Sequence, residues 1–93
     1  MAERWVEAAR QHPRVARVRE GWSLIVQAIT LGFVDLDGLA GMAMQLEVGG
    51  DIVLEEVGIW PSGDDVIVEV QEGSATVNRA AFLDVLSAVA QTV

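Results

Sequence analysis

The 93-residue sequence contains no cysteine, no lysine and only one histidine. The lack of cysteine excludes disulfides, thiolate metal sites and cysteine nucleophiles. Positive charge is also scarce, because six arginines stand against fourteen acidic residues and the formal net charge is −8. Binding to a phosphate backbone requires clustered Lys and Arg. We therefore expect no nucleic-acid partner.

Long apolar runs are absent as well. The longest covers residues 22–34 and is interrupted by Ser23, Gln27 and Thr30, whereas a membrane-spanning helix needs about 20 apolar residues. As a signal peptide, this run would follow an overlong segment that contains acidic residues. We therefore expect a cytoplasmic protein with no membrane partner.

Apolar residues as a class are abundant, at 52% of the chain, against roughly 45–50% in ordinary globular proteins. This content argues against intrinsic disorder, and the length predicts one domain over residues 1–93. The apolar excess further indicates buried surface shared with a second copy or with another protein.

Apolar spacing predicts helices near both ends of the chain. Residues 3–11 form a short helix, and a second follows from Pro13 to about Gly32, with apolar residues three and four apart. Gly21 inside this stripe and the β-prone residues 22–31 leave a strand as the alternative there. A last helix covers residues 79–91, with Asn78 as its N-cap.

Alternation of apolar and polar residues predicts strands between the helices. Residues 42–48 alternate strictly, and Gly49-Gly50 predicts a hairpin to a second strand over residues 52–60. The phase of that strand changes at Glu55-Glu56, which indicates a bulge. Turns at residues 61–65 and 72–74 enclose a third strand, and residues 75–77 add a short fourth one.

These elements predict an α+β fold: a small two-layer domain with N-terminal helices, a three- or four-stranded antiparallel meander and a C-terminal helix. One sheet face packs on the helices. The other is expected to be polar and acidic, and it meets water, a second copy or a partner. We expect it to carry Ala43, Gln45, Glu47, Glu55 or Glu56, Ile67, Glu69 and Gln71.

Charge is divided unevenly along the chain. Residues 1–20 contain five arginines and three glutamates, whereas residues 21–93 contain one arginine and eleven acidic residues. Two interpretations follow. Either the arginine-rich segment packs across the acidic remainder and neutralises part of it, or an acidic face stays open for a basic partner.

No motif in the sequence indicates catalysis or metal binding. His12 stands next to Pro13, which predicts a helix boundary rather than a catalytic base. Asp35-Leu36-Asp37-Gly38 lacks the ligand spacing of a calcium loop and predicts a turn. The pairs Glu55-Glu56 and Asp64-Asp65 are not expected to converge. We therefore expect no enzyme, metal site or cofactor.

The composition instead predicts a non-enzymatic acidic protein-interaction module with a basic protein partner. An inhibitor or immunity protein fits this description, since acidic side chains resemble the phosphates that a nuclease binds, and so does a secretion chaperone. The acidic turn over residues 60–65, which begins at Trp60, is the best single contact site; the alternative is that Trp60 only covers the end of the sheet. The expected partner-binding residues are Trp60, Asp64, Asp65, Glu55, Glu56 and Glu69.

Two alternatives stay open. The first is a structural or assembly subunit that acts as a homo-oligomer, which the apolar content and Met42 and Met44 favour. The second is a small-ligand-binding domain or a carboxylate-dependent enzyme, which requires a deep pocket with convergent polar groups.

Overall fold

The computed structural model describes residues 4–92. Three α-helices precede a four-stranded sheet, and a fourth helix follows it. The elements are α1 (Arg4–Gln11), α2 (Arg19–Thr30), α3 (Leu39–Glu47), β1 (Ile52–Leu54), β2 (Val57–Ser62), β3 (Asp65–Val70), β4 (Gly73–Asn78) and α4 (Arg79–Ala90). Short 3₁₀ turns occupy Val15–Arg17 and Leu36–Gly38. The predicted α+β class and the order of helices and sheet are confirmed.

The sheet is an antiparallel meander in the order β1-β2-β3-β4. Its inner face is apolar, because Val57, Ile59, Val66, Val68 and Val70 are buried there. Helices α2, α3 and α4 form the opposite side of the core. Its fully buried larger side chains from those helices are Ile25, Leu39, Leu46, Phe82, Val85, Leu86 and Val89.

Helix α2 confirms the helical interpretation of the middle apolar stripe, although it begins at Arg19 rather than near Pro13. Gly21 lies close to β4 and α4: a Cβ atom there would stand 3.1 Å from Cγ2 of Val77 and 3.6 Å from Cε1 of Phe82. The glycine that argued against a helix is thus the residue that lets this helix approach β4.

Gly32 ends α2 as predicted. Its φ angle is +84°, and its N–H donates to the carbonyl of Ile29 while the N–H of Phe33 donates to that of Ala28. This pair of bonds is a Schellman motif, which favours glycine because of the positive φ angle.

The predicted strand over residues 42–48 is wrong, because this segment lies in α3. Met42 and Leu46 are buried one helical turn apart, whereas Met44 and Val48 are 69% and 79% exposed. In the helix, therefore, only two of the four alternating apolar residues are buried. Gly49, at φ +82°, and Gly50 close the helix with a second Schellman motif instead of forming a hairpin.

The predicted second strand, residues 52–60, is two strands. Glu55-Glu56 forms a two-residue turn between β1 and β2 rather than a bulge, with Leu54 opposite Val57 and Glu56 at φ +66°. Strand β2 also continues through Pro61 to Ser62. Proline is tolerated there because β1 pairs with β2 only as far as Ile59.

The last hairpin and helix agree closely with expectation. The short strand predicted at residues 75–77 is the centre of β4, which extends to Gly73 and Asn78. The Asn78 side chain accepts a hydrogen bond from the N–H of Ala81 at 3.0 Å, as an N-cap does. Val77 and Phe82, which stand at the hydrophobic-staple positions on either side of this N-cap, are both buried.

Among residues 4–92, no helix has both the length and the apolar character needed to cross a membrane.

Candidate protein-binding face

The outer face of the sheet is not covered by any described helix. We call it the open face. None of its side chains is buried. Strand alternation and the register place on it Val53, Gly58, Trp60, Ser62, Asp65, Ile67, Glu69, Ser74, Thr76 and Asn78. The expected uncovered face therefore exists, with Ile67 and Glu69 on it. Ala43, Gln45 and Glu47 are wrongly assigned to it, because they belong to α3.

Trp60 begins a row of three residues that crosses the open face from β2 to β4. It stands opposite Ile67 of β3, which in turn stands opposite Thr76 of β4. The indole ring lies over Gly58, since a Cβ atom on that glycine would be 2.9 Å from the ring carbon Cζ3 of Trp60. The missing side chain leaves room for the ring to lie along the strand, and the ring stays partly exposed.

Along β3, a carboxylate lies on each side of Ile67. Glu69 lies two residues from Ile67 on one side and faces Gly58, while Asp65 lies two residues away on the other side and faces Ser62. Both are partly buried. Three of the six predicted partner-binding residues, Trp60, Asp65 and Glu69, are thus gathered on one surface.

The other three predicted residues lie at the ends of the sheet. Asp64 is in the two-residue turn between β2 and β3, where Gly63 at φ +63° permits a tight hairpin. Glu55 and Glu56 form the turn at the opposite end, next to the β3–β4 turn, where the N–H of Gln71 donates to the carbonyl of Glu56. The two acidic pairs therefore lie at opposite ends of β2.

The arginine-rich segment neutralises little of this acidic surface. In residues 4–92 the ion pairs are Arg10–Glu7 at 3.3 Å and Arg14–Asp84 at 2.8 Å. Among the acidic residues of the described stretch 22–92, only Asp84 takes part in one of these pairs. The carboxylates of the open face and of its two ends are therefore available to a partner.

His12 and residues 35–38 lie at turns between helices. The ring nitrogen Nδ1 of His12 accepts a hydrogen bond from the N–H of Arg14 at 3.1 Å, which stabilises the turn after α1. Asp35 and Asp37 lie at the 3₁₀ turn between α2 and α3. The described part of the chain contains no group of three His, Cys, Asp or Glu residues arranged to hold a metal ion. Trp5 and Trp22 are buried in the core.

Sequence reasoning missed a cleft beside β1. About 700 Å³ in volume, it lies between β1 and the segment from the end of α2 into α3, and its walls include Phe33, Asp35, Met42 and Leu54. The wrong strand assignment for residues 42–48 removed one of its walls. No local pattern indicates this cleft, because it depends on how α3 packs beside the sheet.

Comparison with known proteins adds no relative: no family model, no curated protein and no solved structure matches this chain.

Proposed function

We propose that this chain is a non-enzymatic protein-interaction domain that binds a basic partner protein on its open face. The observation that carries the proposal is the position of Trp60 and Ile67, side by side on an uncovered face and flanked by the carboxylates of Asp65 and Glu69. Three arginines lie around this face: Arg17 and Arg19 line a depression with Thr76 at its β4 edge, and Arg79 lies next to Asp64 at one end.

The chemistry of the face suits an arginine-rich surface. Aromatic residues supply much of the binding energy in protein interfaces when they are desolvated at the centre of the contact. A guanidinium group can stack on the indole of Trp60 and pair with a neighbouring carboxylate. Acidic residues at the turns, Asp64 at one end and Glu55 and Glu56 at the other, extend the negative surface and favour encounter with a positively charged protein.

An inhibitor or immunity protein for a basic enzyme, such as a nuclease, is the form of this function that we favour. A net charge of −8 and carboxylates without ion pairs would let the open face occupy a surface that otherwise binds phosphates. A secretion chaperone for a basic protein uses the same physics. The identity of the captured partner distinguishes the two.

The test is affinity capture with matched variants. Immobilised wild-type protein, Trp60→Ala and the double variant Asp65→Asn/Glu69→Gln are exposed to extract of the source cells. Glu7→Gln/Glu47→Gln is the control, because it has the same net charge as the double variant and its changes lie in α1 and α3. Captured proteins are identified by mass spectrometry.

We expect a basic protein that binds the wild type and the control, binds both face variants more weakly, and dissociates as salt is raised. Retention of the same protein by Trp60→Ala and by the double variant would refute the role of the open face. If the affinity of the partner does not change with ionic strength, the open-face carboxylates do not contribute to binding through charge.

Homo-oligomerisation is the second candidate function. Three large apolar side chains are exposed, and burying them against a second copy would favour association. They are Met44 and Val48, towards the end of α3, and Val53 on β1. Light scattering at high protein concentration separates the two functions. A monomer removes the assembly function, whereas a stable dimer with its open face covered removes the binding function.

A further inference from the structure

Strand β1 is an edge strand, paired on one side with β2 and on the other side with no described strand. Leu54 stands opposite Val57 across a two-residue turn, so these two residues form the closing hydrogen-bonded pair. In an antiparallel ladder the next pair, Val53 with Gly58, exchanges no hydrogen bonds. The N–H and C=O groups of Val53 therefore point away from the sheet, towards the free edge.

This edge lacks most of the features that prevent edge-to-edge pairing. Such edges usually carry charged side chains, proline or a bulge, or are covered by other segments. Strand β1 is short, but Val53 and Leu54 are large and apolar, and they are 81% and 45% exposed. Outward backbone groups next to exposed apolar side chains are what an added strand binds.

The cleft of about 700 Å³ lies alongside β1, whose three residues all line it. Phe33, Met42 and Leu54 provide apolar surface, and Asp35, Asp37 and Asp51 provide carboxylates. None of the residues that line the cleft is basic, and none of these three carboxylates takes part in an ion pair among residues 4–92. The cleft thus combines apolar and negatively charged walls.

We propose that β1 and this cleft bind an extended peptide segment of a partner protein in which arginine or lysine alternates with apolar residues. The segment lies along β1 as a fifth strand and pairs its backbone with the outward groups of Val53. Its side chains on one side enter the cleft, where apolar residues contact Phe33 and Leu54 and basic residues meet the carboxylates. Main-chain bonds give affinity, and the side chains in the cleft give specificity.

Charge complementarity selects this occupant over a second copy of the chain. Two copies paired through β1 would bring together two clefts that each carry Asp35, Asp37 and Asp51, on chains of net charge −8 each. Like charges in such close proximity oppose association. A basic segment meets the same carboxylates with favourable charge.

This proposal stands apart from the one for the open face. Val53 is shared between the two surfaces, but the cleft and its three carboxylates lie outside the open face. Loss of binding at Trp60 would leave the cleft proposal intact, and loss of binding at the cleft would leave the open face intact.

The probe is a short synthetic peptide that alternates arginine and valine, labelled with a fluorophore. Its affinity is measured by fluorescence anisotropy, and its position by the chemical-shift changes of backbone amides in an NMR titration. Two reference peptides accompany it. One replaces arginine by glutamate, and the other keeps the sequence but carries N-methyl groups on alternate peptide nitrogens.

Three protein variants locate the site. Val53→Pro removes the outward N–H, and edge strands accept proline at positions whose N–H faces away from the sheet. Asp35→Asn/Asp37→Asn/Asp51→Asn removes the charge of the cleft. Glu7→Gln/Glu20→Gln/Glu47→Gln removes the same charge from helices α1, α2 and α3, outside the cleft, and is the matched control.

We expect the arginine peptide to shift the amides of β1 and of residues 33–37 and to bind the cleft variant at least about tenfold more weakly than the control, a difference of about 1.4 kcal/mol. The glutamate and N-methyl peptides should not bind. Because the N-methyl comparison uses unaltered protein, it remains decisive even when Val53→Pro fails to fold.

Three results would overturn the proposal. In the first, both triple variants bind equally, so only net charge matters. In the second, the N-methyl peptide binds as tightly as its parent, so no strand is added. In the third, the peptide fails to bind and the chain forms a dimer with the Val53 amide protected from exchange, so a second copy occupies the edge.

Discussion

Individual glycines determine how closely the elements approach one another. A Cβ atom at Gly21 would crowd both methyl carbons of Val77, at 3.1 and 3.2 Å, whereas Gly41 in α3 faces open space. Glycine therefore has opposite roles at these two positions: it permits packing in α2, and in α3 it only weakens the helix. The same residue type predicts opposite responses to substitution.

Replacement of Gly21 by leucine tests the close approach of α2. We expect Gly21→Leu to lower the free energy of unfolding by about 1–3 kcal/mol, because overpacking forces neighbouring atoms to move. The additional variant Val77→Ala creates room for the new side chain. Denaturant unfolding of both single variants and the double variant should therefore give a less-than-additive loss, and strict additivity would contradict the packing.

The N-cap of α4 gives a second prediction for a single residue. Asn78→Ala removes the acceptor for the N–H of Ala81, so we expect a loss of about 1 kcal/mol in stability. Asn78→Asp keeps an oxygen at this position and should retain most of the stability. The midpoint of urea unfolding measures both. Equal losses for the two variants would mean that the side-chain oxygen is not the stabilising group.

Helix α3 is the element for which alternation predicts a strand instead of the observed helix, and two glycines test its helical conformation. We expect Gly49→Ala to cost about 1 kcal/mol, because alanine is disfavoured at φ +82°. Gly41→Ala should instead stabilise the protein by about 0.5–1 kcal/mol, as alanine does inside a helix. The two substitutions are chemically identical, and their opposite signs are measured by thermal unfolding. A loss in both would favour a non-helical segment.

Most of the fold is predictable from local patterns, and α3 shows where this stops. Helix α4 has a cap and a regular stripe, and the β2–β3–β4 region has period-two alternation together with turn residues, so these elements are predictable to within a few residues. Met42, Met44, Leu46 and Val48 satisfy alternation completely, yet only half of them are buried. The packing of this segment against α4 selects the helix, and local sequence does not contain that information.

The candidate site is predictable in part for the same reason. Alternation along β3 is enough to place Glu69 beside Ile67 on the outer face. That Trp60 lies opposite Ile67 depends on the β2–β3 register, which the turn at Gly63 determines. The cleft beside β1 needs α3 in its correct place, so no local pattern could reveal it.

At the scale of the whole molecule, unneutralised negative charge destabilises the folded state through mutual repulsion. We expect the midpoint of thermal unfolding to rise as sodium chloride is added, because salt screens this repulsion. The rise should be smaller for Asp65→Asn/Glu69→Gln, which carries less charge. A midpoint that falls with salt would mean that the Arg10–Glu7 and Arg14–Asp84 pairs outweigh the repulsion.

The most direct test of whether a basic partner binds the open face is its dissociation constant for wild type and for Trp60→Ala. This constant is measured by calorimetry at several salt concentrations, with the captured partner protein. Loss of an aromatic anchor costs about 2 kcal/mol or more, so the account predicts binding weakened at least about thirtyfold in Trp60→Ala, and wild-type affinity that declines as salt rises. Urea unfolding of the variant serves as the control for folding. Unchanged affinity in a folded Trp60→Ala variant would contradict the account.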